Sequence, residues 1–228
     1  MRRCIATLDV GGGSLHPASR ASLEAAASRW DADLVIFTEP LARCHIWWQK
    51  TFAIDHLQDY DQVLQLDADM LIAGDCPPPW SLSPADRLGV CRDIQHRRQL
   101  RFIGWLQRQY EPWYQILQSP RLRPAQCLNA GLLLYSPACM LPWFRLWRAI
   151  GASQHFPPWG LGDQGVLCLL AWRFGLPIHV LPNRWNLVHA GTAFRPDLPR
   201  RMRNTIYHFC GHTNTRVDRI CATTWRTS

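Results

Sequence analysis

Between residues 60 and 75 the chain reads YDQVLQLDADMLIAGD, an apolar run that ends on two carboxylates, Asp67 and Asp69, separated by one alanine. Residues two apart in an extended chain face the same side, roughly 6.5 Å apart along the strand. A slight bend brings both carboxylates within reach of one hydrated cation, and hard oxygen donors suit magnesium or manganese better than zinc. Two acids at a strand end also suit a solvated turn or a helix cap, so the pair alone leaves both readings open. An ion held by so few protein ligands is completed by phosphate oxygens, so the metal reading asks for a base-binding loop and phosphate-directed cations elsewhere in the chain.

The surrounding pattern says how such a pair would be positioned. CIATLDV, from residue 4, has strand composition and stops at Gly11, Gly12 and Gly13; HPASRASLEAAASRW is helical, with Pro17 near its start. ADLVIFTEP gives a second strand closed by Pro40, WWQKTFAIDHLQDY a second helix, and QVLQLDAD a third strand. Strands alternating with helices predict a mostly parallel α/β sheet. In such a sheet ligands gather outside the carboxyl ends of the strands, which is where Asp67 and Asp69 fall.

Past Asp75 the run CPPPW breaks the chain, and RLGVCRD is a further candidate strand. Residues 95 to 126 are basic and aromatic, with little periodicity. CLNAGLLLYSP reads as a strand ending at Pro137, followed by a helix from about Pro142 to Ile150. GDQGVLCLLAWRFG is a helical run ending near Gly175, and IHVLPNRWN and TIYHFCGH are strands. With no internal repeat and no low-complexity linker, residues 1–228 form one domain.

A hydrophobic content of 47% excludes a disordered chain. Lys and Arg outnumber Asp and Glu by 25 to 17, giving a net charge of +8, and most of the cations are arginines, which favours an anionic substrate or surface. Arginines among aromatics also suit nucleic acid, although nothing resembles a recognition module, so no nucleic-acid partner is expected. The nine cysteines are odd in number, scattered and without a CxxC pair, as expected of reduced thiols mostly in a core. The apolar run at the N-terminus is too short for a signal peptide and no segment reaches a membrane span, so the expected location is cytoplasmic.

Taken in order along the chain, five segments resemble the retaining family 8 glycosyltransferases, the group that includes glycogenin, galactinol synthases and bacterial lipopolysaccharide galactosyl- and glucosyltransferases. YDQVLQLDADMLIAGD is similar to their Asp-x-Asp strand, CLNAGLLLYS to their Asn-Ala-Gly strand and LGDQGVLCLL to their Asp-Gln helix. LPNRWN resembles the segment before their last strand, and YHFCGHTN their His-x-x-Gly-x-x-Lys signature. The resemblance implies a single GT-A domain with a Rossmann-like sheet, residues 1–75 forming the nucleotide-binding half and 76–228 the sugar- and acceptor-binding half. It also implies a UDP-sugar donor held through Mn2+ (or Mg2+) by Asp67, Asp69 and His208.

Further roles follow from matching positions. Thr7 and Asp9 resemble residues that bind uracil and ribose, although a turn role also suits Asp9. Lys50 matches a helix cation near the donor, and Ala130 and Gly131 belong to the Asn-Ala-Gly segment. Asp93, Asn129, Asp163 and Gln164 match positions that hold the donor sugar or line its reacting face; Asp163 and Gln164 are the expected catalytic pair. An Asx turn for Asn129 and a helix cap for Asp163 are compatible with those roles. Gly211 lets backbone approach the diphosphate, whereas Asn214 stands where the family has a lysine; either Arg216 or His212 takes its place, or diphosphate binding is weaker and the chain is a catalytically weak sugar-nucleotide-binding member of that group. Because Gln164 is an amide and a poor nucleophile, retention is expected by front-face substitution. The acceptor, a glycan, a lipid-linked saccharide or a protein, is expected against residues 95 to 126 and the loop QHFPPWGLGDQ, where aromatics stand among arginines. The same composition suits peripheral contact with the inner face of a membrane.

Overall fold

Two neighbouring, largely buried strands set the architecture: β3 (Gln62–Leu66), in which Val63, Leu64, Gln65 and Leu66 are buried, and β6 (Leu128–Tyr135), in which every residue is buried. Such runs form where helices or strands cover both faces of a sheet. The computed structural model describes residues 1–11, 15–44, 46–93, 128–151, 163–188 and 205–208. Around that pair stand β1 (Arg3–Leu8), β2 (Asp33–Phe37), β5 (Leu88–Arg92) and β7 (Ile178–Leu181), in the order β2-β1-β3-β6-β5-β7. The β1–β2, β1–β3 and β5–β7 pairs are parallel, while β6 is antiparallel to both β3 and β5, so β6 alone is reversed. The sheet is therefore mostly parallel, as the strand–helix alternation predicts.

Period-two alternation divides the core into two layers. Cys4, Ala6, Val63, Val90 and Leu133 face α2 (Ile46–Ala53), α3 (Pro137–Gly151) and α4 (Asp163–Arg173). Ile5, Leu64, Leu66, Leu132 and Leu134 face the other way, against α1 (Pro17–Arg29) and a small second sheet. That sheet consists of β4 (Met70–Ile72), β9 (Ile206–His208) and β8 (Leu187–Val188), in the order β4-β9-β8. The six cysteines in the described residues are all free, and four of them are buried, in keeping with thiols of a reduced core.

Four sequence expectations need correction, the first being IHVLPNRWN, whose strand ends at Leu181 before the 3-10 turn Asn183–Trp185. The third strand stops at Leu66, not at Asp69; Asp67 begins a turn closed by the Met70 N–H on the Asp67 carbonyl at 3.2 Å, and the chain then enters β4. The second helix is α-helical only to Ala53 and continues as one 3-10 turn, Ile54–His56. The helix expected from Pro142 starts at Pro137, whose missing N–H costs nothing at a first position. Pro142 is carried inside because Met140, Phe144 and Trp147, spaced as one helical stripe, are buried against the sheet.

These elements bring one edge together. The carboxyl ends of β1, β3 and β5 deliver Thr7 and Asp9, Asp67, and Asp93, and the amino end of reversed β6 delivers Asn129 to the same edge.

Candidate functional site

Asp67, Ala68 and Asp69 form the turn that carries the chain from the large sheet into the small one. β4 then pairs with β9 antiparallel, with Met70 opposite His208. That register sets the imidazole beside the turn: Nε2 of His208 lies 3.2 Å from Asp69 Oδ1 and 3.7 Å from Asp67 Oδ2. One donor atom from each of the three residues falls within 4.8 Å of the others. The two aspartates thus converge through a turn and a neighbouring strand, not by sharing one side of an extended chain. Two carboxylate oxygens and an imidazole nitrogen form a donor set that could hold a divalent ion.

Gly131 makes that approach sterically possible. Its carbonyl accepts from the Asp67 N–H at 2.9 Å, which puts it directly across from the turn. A Cβ at this position would lie 2.3 Å from Cε1 and 2.7 Å from Nδ1 of His208, closer than atoms pack, so the ring rests where a side chain would be. β6 is also irregular here: Val90 pairs with Leu133 but Cys91 with Asn129, so residues 130 to 132 have no partner on β5. A local irregularity of this kind re-aims the side chains around it.

Lys50, only 8% exposed on α2, reaches into the same place. Its ammonium stands 2.7 Å from Asp67 Oδ1 and 2.6 Å from Asp163 Oδ2, and donates to the Ala130 carbonyl at 3.2 Å. Burial alone would push Lys50 towards the neutral amine, but Asp163 and Asp67 outweigh it and hold the group charged, above the ordinary lysine range. Burial raises Asp67 in spite of Lys50 and His208, whereas at Asp69 burial is outweighed by His208, a backbone hydrogen bond and Lys50 together, which hold it below the usual carboxylate range. Asp163 is the first described residue of α4; its carboxylate serves Lys50, and its carbonyl accepts from Trp147 Nε1 at 2.9 Å.

The remaining polar residues form a chain of amides. Asp93 accepts from Asn129 Nδ2 at 3.1 Å on one oxygen and from Gln164 Nε2 at 3.0 Å on the other, and burial still raises it above the ordinary range. Gln164 Oε1 accepts from the Ala130 N–H at 3.3 Å, and Asn129 Oδ1 from the Gly131 N–H at 2.8 Å. Asn186 Nδ2 donates to Asn129 Oδ1 at 2.7 Å, and Asn186 Oδ1 meets His208 Nδ1 at 3.1 Å. Asn186 was not among the residues singled out by sequence. Its only signal is its place at the end of LPNRWN.

The nucleotide side is less continuous. Thr7 is fully buried in β1, and its hydroxyl finds no hydrogen-bond partner among the described residues. Asp9 does take a turn role: its N–H donates to the Phe37 carbonyl at 2.8 Å and its Oδ1 accepts from the Leu15 N–H at 2.9 Å, closing the glycine-rich connection. Beside it opens a groove of about 610 Å³ lined by Val10, Pro40, Ala42, Arg43, Cys44 and Gln49. Gln49 holds the rim, accepting from the Leu41 N–H at 2.7 Å and donating to the Ala42 carbonyl at 2.7 Å. Gly211, His212, Asn214 and Arg216 lie outside the described residues, as do residues 95 to 126 and most of QHFPPWGLGDQ.

No protein-family model matches the chain, and no curated protein is significantly similar to it in sequence. Solved structures do match. A glycosyltransferase involved in glycosylation of the major capsid of PBCV-1 aligns with a TM-score of 0.65, covering 98% of this chain and 100% of that one at 11% identity. The galactosyltransferase LgtC, in complex with donor and acceptor sugar analogues, aligns at 0.55 over 98% and 96% with 19% identity. The glycosyltransferase GlyE of Streptococcus pneumoniae TIGR4 aligns at 0.59 over 99% and 60% with 15% identity. At such identities the likeness is one of fold, and it extends over nearly the whole chain. The mostly parallel sheet and the helices on its faces are those of a GT-A glycosyltransferase fold.

Proposed function

We propose that this chain is a metal-dependent retaining glycosyltransferase that moves a hexose from UDP-glucose or UDP-galactose to a hydroxyl of a glycan, lipid-linked saccharide or protein. The observation that carries the reading is the convergence of Asp67, Asp69 and His208 on one point at the carboxyl edge of the sheet. A set containing an imidazole suits manganese better than magnesium, which prefers oxygen alone. When bound, the ion supplies positive charge against the negative charge that grows on a departing diphosphate.

The protein groups divide the remaining work. Thr7 and Asp9, at the exit of β1, take the nucleoside, and Gly211 and Arg216 admit and pair with the diphosphate. Asp93, Asn129 and Gln164 orient the sugar by hydrogen bonds to its hydroxyls. Both carboxylates near the reacting face are engaged by other groups, Asp163 with Lys50 at 2.6 Å and the two oxygens of Asp93 with amides, which favours a path without a carboxylate nucleophile. The bond from the anomeric carbon to the acceptor oxygen therefore forms on the face that the phosphate leaves, and the acceptor's proton passes to the departing phosphate oxygen. Gln164, anchored between Asp93 and the Ala130 N–H, holds its amide beside that face.

A screen of sugar nucleotides with manganese, reading nucleotide release, tests the proposal. UDP-glucose or UDP-galactose is expected to give the strongest signal, and Asp69→Ala to abolish it. A GDP- or CMP-linked sugar winning the screen defeats the donor assignment, and a sugar trapped covalently on Asp163 or Asp93 defeats front-face substitution.

A further inference from the structure

Asn186 is fully buried, follows the 3-10 turn Asn183–Trp185, and has no part in the reaction proposed above. Its amide nevertheless joins the sugar-side chain of amides to the histidine of the candidate ion site. Which end of that amide faces which neighbour is fixed step by step, starting from a group with no choice. The Gly131 N–H can only donate, so the Asn129 atom it meets at 2.8 Å is the carbonyl oxygen. The same oxygen faces Asn186 at 2.7 Å, and Asn186 must present its NH2 there. The Asn186 oxygen is thereby turned towards His208 Nδ1, 3.1 Å away.

An amide oxygen only accepts, so Nδ1 is the ring nitrogen that carries hydrogen. The lone pair of the neutral ring is then on Nε2, the nitrogen 3.2 Å from Asp69 and 3.7 Å from Asp67. The carboxylates favour the opposite arrangement, because Nε2–H could donate to Asp69 and would then close the site to a cation. We propose that Asn186 is a positioning residue whose amide holds His208 in the Nδ1–H tautomer and keeps Nε2 open as an ion ligand. The purpose of the open nitrogen rests on the metal reading above; the tautomer itself does not.

The test reads the tautomer and ion binding separately. Nitrogen-15 shifts of the His208 ring, assigned against His208→Gln, are measured on metal-free protein at about pH 9, where an ordinary imidazole is neutral; Mn2+ affinity is measured by electron paramagnetic resonance without nucleotide. Wild-type protein is expected to carry Nδ1–H. Asn186→Ala is expected to shift to Nε2–H and to lose about 10- to 100-fold in Mn2+ affinity. Asn186→Asp, which keeps an acceptor against Nδ1, is expected to retain Nδ1–H and to bind Mn2+ better than the alanine variant. Nε2–H in wild type, or an alanine variant with unchanged tautomer and affinity, overturns the proposal. If the alanine variant does not fold, Nε2–H in the aspartate variant overturns it and Nδ1–H sustains it. Wild-type protein with Nδ1–H that binds no Mn2+ sustains the tautomer lock while defeating the metal reading of the site.

Discussion

Lys50 is the residue on which the electrostatics of the site turns. Its ammonium is the shared partner of Asp67 and Asp163, and removing it leaves those carboxylates in a poorly solvated place without their cation. Lys50→Met is expected to lower stability by about 3 kcal/mol at neutral pH, measured by urea unfolding. The pH dependence follows from the sign of each shift. The folded Lys50 titrates above the ordinary lysine range, so its pairing is fully present at neutral pH and is lost only as pH rises through that folded value. Burial already raises Asp67 with Lys50 present, and without that cation it rises further above its unfolded value, so in the methionine variant the deficit shrinks as pH falls through that raised range. An unchanged deficit from pH 7 to pH 4 contradicts this origin. At this scale Asp67 and Asp69 were legible because carboxylates two apart at a strand end are a chemical pattern. Asn186 was not, because an asparagine after a tryptophan carries none; its role exists only once β9 and the 3-10 turn have placed it between Asn129 and His208.

Among the elements, the pairing of β4 with β9 does most to assemble the site, since Met70 opposite His208 is what places the imidazole beside Asp69. A strand slipped by one residue turns every side chain to its other face. One glycine inserted between Asp69 and Met70 is therefore expected to cut Mn2+ affinity at least tenfold while leaving the circular dichroism of the large sheet and helices intact; undiminished affinity contradicts the pairing. The long elements were readable from periodicity and from their terminating glycines, as at Gly175, which has φ +77° after α4. β4 and β9, of three residues each, and β8, of two, are too short to show a pattern, so the alternation of the third strand reads on through Asp69. Pro142 misplaced the start of α3 because proline marks a boundary locally, while the stripe Met140, Phe144 and Trp147 is a tertiary fact.

For the molecule as a whole, the reversal of β6 is what makes one edge hold residues from both halves of the chain. A parallel β6 would present Tyr135 to the carboxyl edge in place of Asn129 and leave Asp93 without its amide partner. Strand direction cannot be read from alternation, since a strand buried on both faces looks the same either way, so the sequence allowed a mostly parallel sheet without showing which strand departs from it. The GT-A fold was legible through the order of five short segments, and solved structures at 11% and 19% identity share that fold over nearly the full chain. Crystals soaked with manganese and UDP, with anomalous scattering recorded at the manganese edge, put the function to its sharpest trial. The expected result is one strong peak bounded by Asp67, Asp69 and Nε2 of His208 and touching the diphosphate. Density for UDP with no anomalous peak among those three side chains would contradict it.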